Sequence, residues 1–244
     1  MVASFMTHKK SALVTGSAQR IGKAIALHLA ESGFDIALHY NTSRSEAEET
    51  SNEIKNKGQN CILFQGDLSD VNNILPLIDK IKQAFPSLSL LINNASIFEK
   101  RSFMETDLSF FENYFNVNFK APFFLSQNFA KIFEKGHIIN LLDTNITRDR
   151  TKYFVYNLTK KMLSEFTKMA AVELAPDIRV NAIAPSPILP PSDKEKEFLE
   201  RSLKSIPLKK WGSIQNIIQS IDFLLENDYL TGQCIFVDGG EHLR

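Results

Sequence analysis

Short apolar runs alternate with amphipathic stretches from one end of the chain to the other, and that alternation leaves few folds open. Ala12–Thr15, Asp35–Tyr40, Cys61–Gln65, Leu88–Asn93, His137–Leu142, Arg179–Ala184 and Cys234–Val237 read as buried strands. Between them, roughly Gly22–Ser32, Ser45–Lys57, Val71–Phe85, Leu108–Phe133, Tyr153–Leu174 and Ile214–Glu226 carry apolar residues at helical spacing. Seven strands separated by helices imply βαβ crossovers, and hence an α/β fold with a doubly wound, seven-stranded parallel sheet. No repeat and no low-complexity linker divides the 244 residues, so residues 1–244 read as a single domain.

Composition narrows the function classes. The formal net charge is +0, which gives neither nucleic acid nor an anionic membrane surface a reason to bind. No apolar run approaches the ~20 residues that span a bilayer, and residues 1–8 read as an unpaired leader rather than a signal peptide. A cytoplasmic protein is expected. Cys61 and Cys234 lie in strand-like runs, where buried free thiols are expected rather than a disulfide or a metal site. Pro185–Ser192 holds four prolines and leads into a charged segment, so residues 186–203 are expected to form a substrate lid beyond the strand ends. The aromatic run Phe110, Phe111, Tyr114, Phe115, Phe119, Phe123 and Phe124 covers more than one helical face; it fits core packing, and equally burial against another subunit.

Thr15-Gly16-Ser-Ala-Gln-Arg20-Ile21-Gly22 follows the first strand and opens the first helix. In that position a glycine-bearing turn lets backbone N–H groups and a helix N-terminus approach a pyrophosphate, so the sheet is expected to be of the Rossmann type. Chains that hold NAD place an acid at the end of the second strand to bind the ribose 2′-hydroxyl. Here that end reads His39-Tyr40-Asn41-Thr42-Ser43-Arg44, with hydroxyls and an arginine suited to a 2′-phosphate. NADP(H) is therefore the expected cofactor, met by Gly16, Arg20, Ile21, Gly22, His39, Tyr40, Asn41 and Ser43. Ser43 also fits a helix cap and Arg44 a solvated first-turn residue. Asp67 with Leu68, after the third strand, can read an adenine amino group, or Asp67 can simply begin a turn.

Tyr156-x-x-x-Lys160 puts a phenol and an ammonium on one helical face. The ammonium favours the phenolate and is expected to lower the Tyr156 pKa from ~10, which makes Tyr156 a candidate proton donor.

Thr15-Gly16…Gly22, Asn93-Asn94-Ala95, Asn118, Tyr156-x-x-x-Lys160 and Arg179-Val-Asn-Ala-Ile-Ala-Pro185 occur together and in order. This set resembles the short-chain dehydrogenase/reductase family over nearly the whole chain. The resemblance implies that Asn118, Tyr156 and Lys160 are catalytic, with Asn118 anchoring a relay water and Lys160 also holding the nicotinamide ribose. It further implies that Asn94 and Ala95 meet the cofactor, that Pro185 and Ile188 lie against the nicotinamide, and that the enzyme is a homotetramer. Ser186 departs from the family's usual glycine.

A narrower likeness rests on Arg20, on Asn94-Ala95-Ser96-Ile97-Phe98, on Asp143 where the family usually has serine, and on the ending Asp238-Gly239-Gly240-Glu-His-Leu-Arg244. It is similar to pteridine reductases, closest to the bacterial dihydromonapterin/dihydrofolate reductases. The likeness implies a small-molecule pteridine sandwiched between the nicotinamide and Phe98. Ser96 and Arg20 would bind the pterin and the cofactor phosphates, and Asp143 and Tyr156 would manage protons. Plain core for Phe98, a turn for Ser96, a phosphate clamp for Arg20 and a loop cap for Asp143 are the alternatives.

Asp143 bears on substrate class. Ketone reduction develops an alkoxide, which an ionised carboxylate repels. Reduction of a dihydropterin C=N bond instead leaves a basic nitrogen that must collect a proton, and a desolvated carboxyl can hold one near neutrality. The expected activity is NADPH-dependent reduction of a dihydropterin to a tetrahydropterin, with a 3-oxoacyl-thioester or other carbonyl reductase as the alternative. A catalytically dead dinucleotide-binding regulator would lack use for an intact Asn118, Tyr156 and Lys160.

Overall fold

Seven strands form one parallel sheet in the order β3-β2-β1-β4-β5-β6-β7. They are β1 Ser11–Val14, β2 Asp35–Tyr40, β3 Cys61–Gln65, β4 Leu88–Asn93, β5 Gly136–Leu141, β6 Ile178–Pro185 and β7 Cys234–Val237. The computed structural model describes residues 10–188 and 203–244; the expected leader and most of the expected lid, 189–202, lie outside the described residues. The helices are α1 Arg20–Glu31, α2 Arg44–Asn56, α3 Ile74–Ala84, α4 Leu108–Phe115, α5 Ala121–Phe133, α6 Phe154–Leu174 and α7 Ile214–Glu226.

The alternation of side chains along each strand sorts the core into two layers. Ala12, Val14, Ile36, Leu38, Ile92 and Ile139 face α1 and α7 through Ile25, Leu29, Ile217 and Ile221. Leu13, Ala37, Leu91, Ile138 and Val180 face the other way, onto Ile78, Leu125, Phe129 and Ala170 of α3, α5 and α6. Chain order reverses between β1 and β4, and a crevice opens there beyond the strand ends, where ligands bind in such sheets.

Three expectations change. Cys61 is buried, but Cys234 is only half-buried, because β7 is an edge strand. Both thiols are free. The single helix expected over Leu108–Phe133 is interrupted by a π turn, Asn116–Lys120. Of the seven aromatics in that run only Tyr114 is buried and Phe111 is exposed; Phe110, Phe115, Phe119 and Phe124 are half-buried and pack against the core clusters, so core packing accounts for part of the run's surface and not all of it. No helix among the described residues is long and apolar enough to cross a membrane, and none of their acidic, histidine and cysteine side chains cluster as a metal site.

Candidate active site

The first strand ends by turning sharply into α1. Gly16 has φ +61, a left-handed value, and Arg20, where related loops carry glycine, has φ +55. Gly22 must be glycine for a different reason: a Cβ there would stand 2.6 Å from Asn94 Nδ2 and would strike the Gly16 carbonyl. That same Asn94 amide holds the turn, donating to Thr15 O (2.8 Å) and Gly16 O (3.1 Å). Thr15 Oγ1 in turn accepts from the Asn94 and Ala95 N–H groups at 2.9 and 3.0 Å. The ends of β1 and β4 are thereby laced together under the crevice.

His39 is a staple, not a cation. Its Nδ1 accepts the Gly16 N–H (3.2 Å) and its Nε2–H donates to Gly66 O (3.1 Å), which fixes the neutral tautomer. Burial pushes its pKa down to about 4, so it cannot meet a phosphate as a charge. The Gly16 N–H, expected to face a pyrophosphate, is already engaged by this ring.

A cleft of about 470 Å³ runs over this floor. Its walls include Gly16, Arg20, Ile21, Gly22, His39, Tyr40, Asn41, Ser43, Asp67, Leu68, Asn94, Ala95, Ser96, Phe98 and Tyr156, so fifteen of the residues expected from the sequence converge on one groove. Ala18, Gln19, Thr42, Gly66, Ile97 and Val117 also line it and were not among the site residues named from the sequence; all but Ala18 are chain neighbours of residues that were. At the β2 end Ser43 precedes α2 without a side-chain cap, and its Oγ lies 3.5 Å from Gln19 Nε2. Arg44 pairs with Glu48 at 2.8 Å on the exposed face of α2, as a solvated first-turn residue does. Asp67 begins a turn by accepting the Ser69 N–H (2.9 Å), and still lines the cleft.

At the opposite end three supports stand behind the walls. Asn118 is fully buried in the π turn, a kind of irregularity that recurs at functional sites. Its Oδ1 accepts from Ile97 N (2.9 Å) and Ser96 Oγ (3.1 Å), and its Nδ2 donates to Ile97 O (3.0 Å). Three of the amide's four hydrogen-bonding positions thus hold the loop that presents Ser96 and Phe98. Phe98 is not core: it is 60% exposed, stacked on Tyr153 (4.5 Å between centroids, 14°) and edge-on to Tyr156 (4.7 Å). Tyr153, at the start of α6, carried no sequence signal beyond its place three residues before Tyr156.

Asp143 sits at the start of the 3-10 turn Thr144–Thr147 and caps it, accepting from Asn145 N (2.8 Å) and Nδ2 (2.7 Å) through Oδ1. Its other oxygen, Oδ2, accepts the Tyr156 hydroxyl at 3.0 Å. Capping and a partnership with Tyr156 therefore coexist, one on each oxygen. Tyr156 forms part of the cleft wall whereas Asp143 does not, so the carboxyl reaches the groove through the phenol.

The electrostatics run against the sequence expectation. Burial first, and then the Asp143 carboxylate, hold the Tyr156 pKa well above the ordinary phenol value. The Lys160 ammonium, 5.8 Å from the Tyr156 ring centroid, donates to Leu141 O (2.8 Å) and does not reverse this. Burial brings Lys160 down to about 8, against the opposite pull of Asp143. Asp143 is itself raised by burial, although Asn145, Tyr156 and Lys160 oppose the rise. The set is a phenol held protonated against a carboxyl whose pKa burial raises above the ordinary aspartate value.

Pro185 and Ile188 are not in the cleft wall. Pro185 ends β6 beside Val237, and Ile188 is buried in the core layer of α1 and α7.

The groove suits a dinucleotide. It has glycines at the close approach, an acid-free β2 end with Ser43, the exposed Arg20 beside it, and a buried lysine near the reacting end.

A family model described as Enoyl-(Acyl carrier protein) reductase matches residues 16–242. A 3-oxoacyl-[acyl-carrier-protein] reductase FabG of Staphylococcus aureus is 34% identical over 98% of this chain and 100% of its own length. The crystal structure of FolM Alternative dihydrofolate reductase 1 from Brucella canis, complexed with NADP, has a TM-score of 0.90 and 35% identity over 98% of this chain and 96% of that one. Acetoin dehydrogenase from Enterobacter cloacae superposes with a TM-score of 0.89 and 32% identity, covering 97% of each chain.

Proposed function

Because the chain belongs to the short-chain dehydrogenase/reductase family, we propose that it is an NADPH-dependent pteridine reductase acting on the C=N bond of a dihydropterin to give the tetrahydropterin. The hydrogen bond from Tyr156 to Asp143 carries this reading. When bound, the cofactor supplies the hydride that goes to carbon. The chain's part is the proton. Tyr156, facing the groove, gives its hydroxyl proton to the substrate nitrogen, and the Asp143 carboxyl behind it restores that proton to the phenol oxygen. Lys160 holds the ribose side of the cofactor, and Asn118 sets the height of Ser96 and Phe98. Phe98, presented at the mouth by its stack on Tyr153, covers one face of a flat ring.

The FolM relative in complex with NADP supports both the cofactor and the substrate class. The glycine loop, Arg20 and the acid-free Tyr40–Ser43 stretch are the residues that would hold a 2′-phosphorylated dinucleotide. A second reading is favoured by the FabG relative: reduction of a 3-oxoacyl thioester on the same machinery. NADPH consumption measured side by side on dihydromonapterin, dihydrobiopterin, dihydrofolate and an acetoacetyl thioester separates the two. Turnover of one or more dihydropterins is expected, and turnover of the thioester alone would overturn the assignment.

An assembly of identical subunits, a homotetramer, belongs to the same proposal. Beside the half-buried aromatics of α4 and α5, a second, apolar groove of about 360 Å³ is lined by Phe103, Leu108, Phe111, Phe154 and Leu158. Phe103 and Leu108 are 64% and 71% exposed in the isolated chain. Such a face suits a second copy of itself. Light scattering is expected to give four times the 27.6 kDa chain mass, and a monomer at micromolar concentration would remove the idea.

A further inference from the structure

The four-residue turn Thr144–Thr147 that Asp143 caps is too short to fix its own position, and it is held from outside by the C-terminal turn. Thr144 Oγ1 donates to Asp238 Oδ2 (2.5 Å), Thr147 Oγ1 to His242 O (3.2 Å), and Arg148 Nη1 to Glu241 Oε1 (3.0 Å). The C-terminal turn is itself rigidly built. Asp238 accepts from Gly240 N, His242 N and His242 Nδ1 at 2.7–2.9 Å, and the His242 ring stacks on Phe236 at 4.1 Å.

A third segment meets the same point. Ser205 Oγ donates to Glu241 Oε1 (3.0 Å), and Leu208 N to Gly239 O (3.1 Å). Gly239 has φ +61, and a Cβ on it would stand 2.7 Å from Ile206 Cγ2, so residues 206–208 lie directly on the turn's backbone. Glu241 is thus the junction of the Asp143 turn, the C-terminal turn and residues 205–208.

The junction is costly. The Arg148 and Glu241 side chains are only 9% and 6% exposed, with Arg150 Nη2 a further 3.6 Å from Glu241 Oε1, yet Arg148 Nε and Nη2 and Glu241 Oε2 have no hydrogen-bond partner among the described residues. A buried ion pair left half-satisfied is a poor source of stability compared with apolar packing. What it does supply is a fixed geometry one turn away from Asp143.

We infer that Glu241 is a positioning residue for the reaction: through Arg148, and with Asp238 acting through Thr144, it clamps the turn that aims the Asp143 carboxyl at the Tyr156 hydroxyl. The inference rests on the proton-delivery reading of Asp143. A displacement of about 1 Å at a reacting group can cost on the order of 10²-fold in rate, so a clamp at this distance has leverage.

The test is a double-mutant cycle on the full-length enzyme with NADPH and a dihydropterin. Glu241→Gln is expected to lower kcat about tenfold with NADPH affinity unchanged. In an Asp143→Asn background the same substitution should change kcat less than twofold, because the aimed group is gone. Equal losses in both backgrounds overturn the clamp. Thr144→Val, which deletes one hydroxyl at nearly constant volume, should show the same background dependence if Glu241→Gln does not fold. A wild-type enzyme inert towards every dihydropterin defeats the functional reading and the clamp together. An active wild type with additive losses defeats the clamp alone.

Discussion

Replacing Tyr156 by phenylalanine is expected to lower kcat by ~10²–10⁴-fold, the range for loss of a positioned acid, while the affinity for NADPH changes less than threefold. The substitution is conservative in shape. The Tyr156 ring is buried and meets Phe98 edge-on, and both features survive without the oxygen. What is lost is the hydroxyl that bonds Asp143 Oδ2 at 3.0 Å and forms part of the cleft wall. Neither of its charged neighbours takes its place: Lys160 points its ammonium at Leu141 O, and Asp143 stands behind the phenol, outside the cleft wall. Steady-state kinetics and a fluorescence titration of NADPH measure the two quantities. Turnover within threefold of the wild type would mean that the reacting atoms lie elsewhere in the groove. Either substrate class requires this loss, so the experiment locates the chemistry without choosing the substrate.

What the sequence made legible follows from the range of the interactions involved. The seven strands, their order of appearance and the glycine turn are written in local runs and spacings, and each stands within a residue or two of its expected place. The cleft wall was legible for a related reason: in a doubly wound sheet the residues just after each strand converge, so Gly16, Tyr40, Asp67 and Asn94 had to meet. Properties set by contacts between distant segments were not legible. His39 is expected from the sequence to meet the cofactor, and only its placement between Gly16 and Gly66 makes it a neutral staple of the cleft floor. The direction of the Tyr156 shift was misjudged because helical spacing brings Lys160 near the ring but does not reveal that Asp143 stands at the hydroxyl. The π turn at Asn116–Lys120 interrupts a sequence of uniformly helical character, and Asn118 within it is anchored on Ser96 and Ile97, about twenty residues away. The clamp on Thr144–Thr147 joins residues more than ninety positions apart, beyond any pattern a window of sequence can hold.

Asp143→Ser should separate the two candidate substrate classes. On a dihydropterin it is expected to reduce kcat by ~10²–10³-fold, since the phenol loses the group that restores its proton. On a 3-oxoacyl thioester the same change should leave kcat unchanged or raise it, because the Tyr156 phenol, freed of the neighbouring carboxylate that raises its pKa, becomes a stronger acid towards the growing alkoxide. NADPH affinity should be unaffected, as Asp143 is not part of the cleft wall. The pH dependence gives an independent check, and its sign is fixed by the direction of the Asp143 shift. Burial raises that carboxyl above an ordinary aspartate, so its acid form survives to higher pH than usual. Turnover that draws on the acid form is complete below the raised pKa and declines as the pH climbs through it. Serine does not titrate in this range, so the variant's residual rate should lack that decline. A wild type and an Asp143→Ser variant with the same dihydropterin kcat and the same pH profile would reduce Asp143 to the cap of a short turn. The site would then be left with the phenol and lysine of a carbonyl reductase.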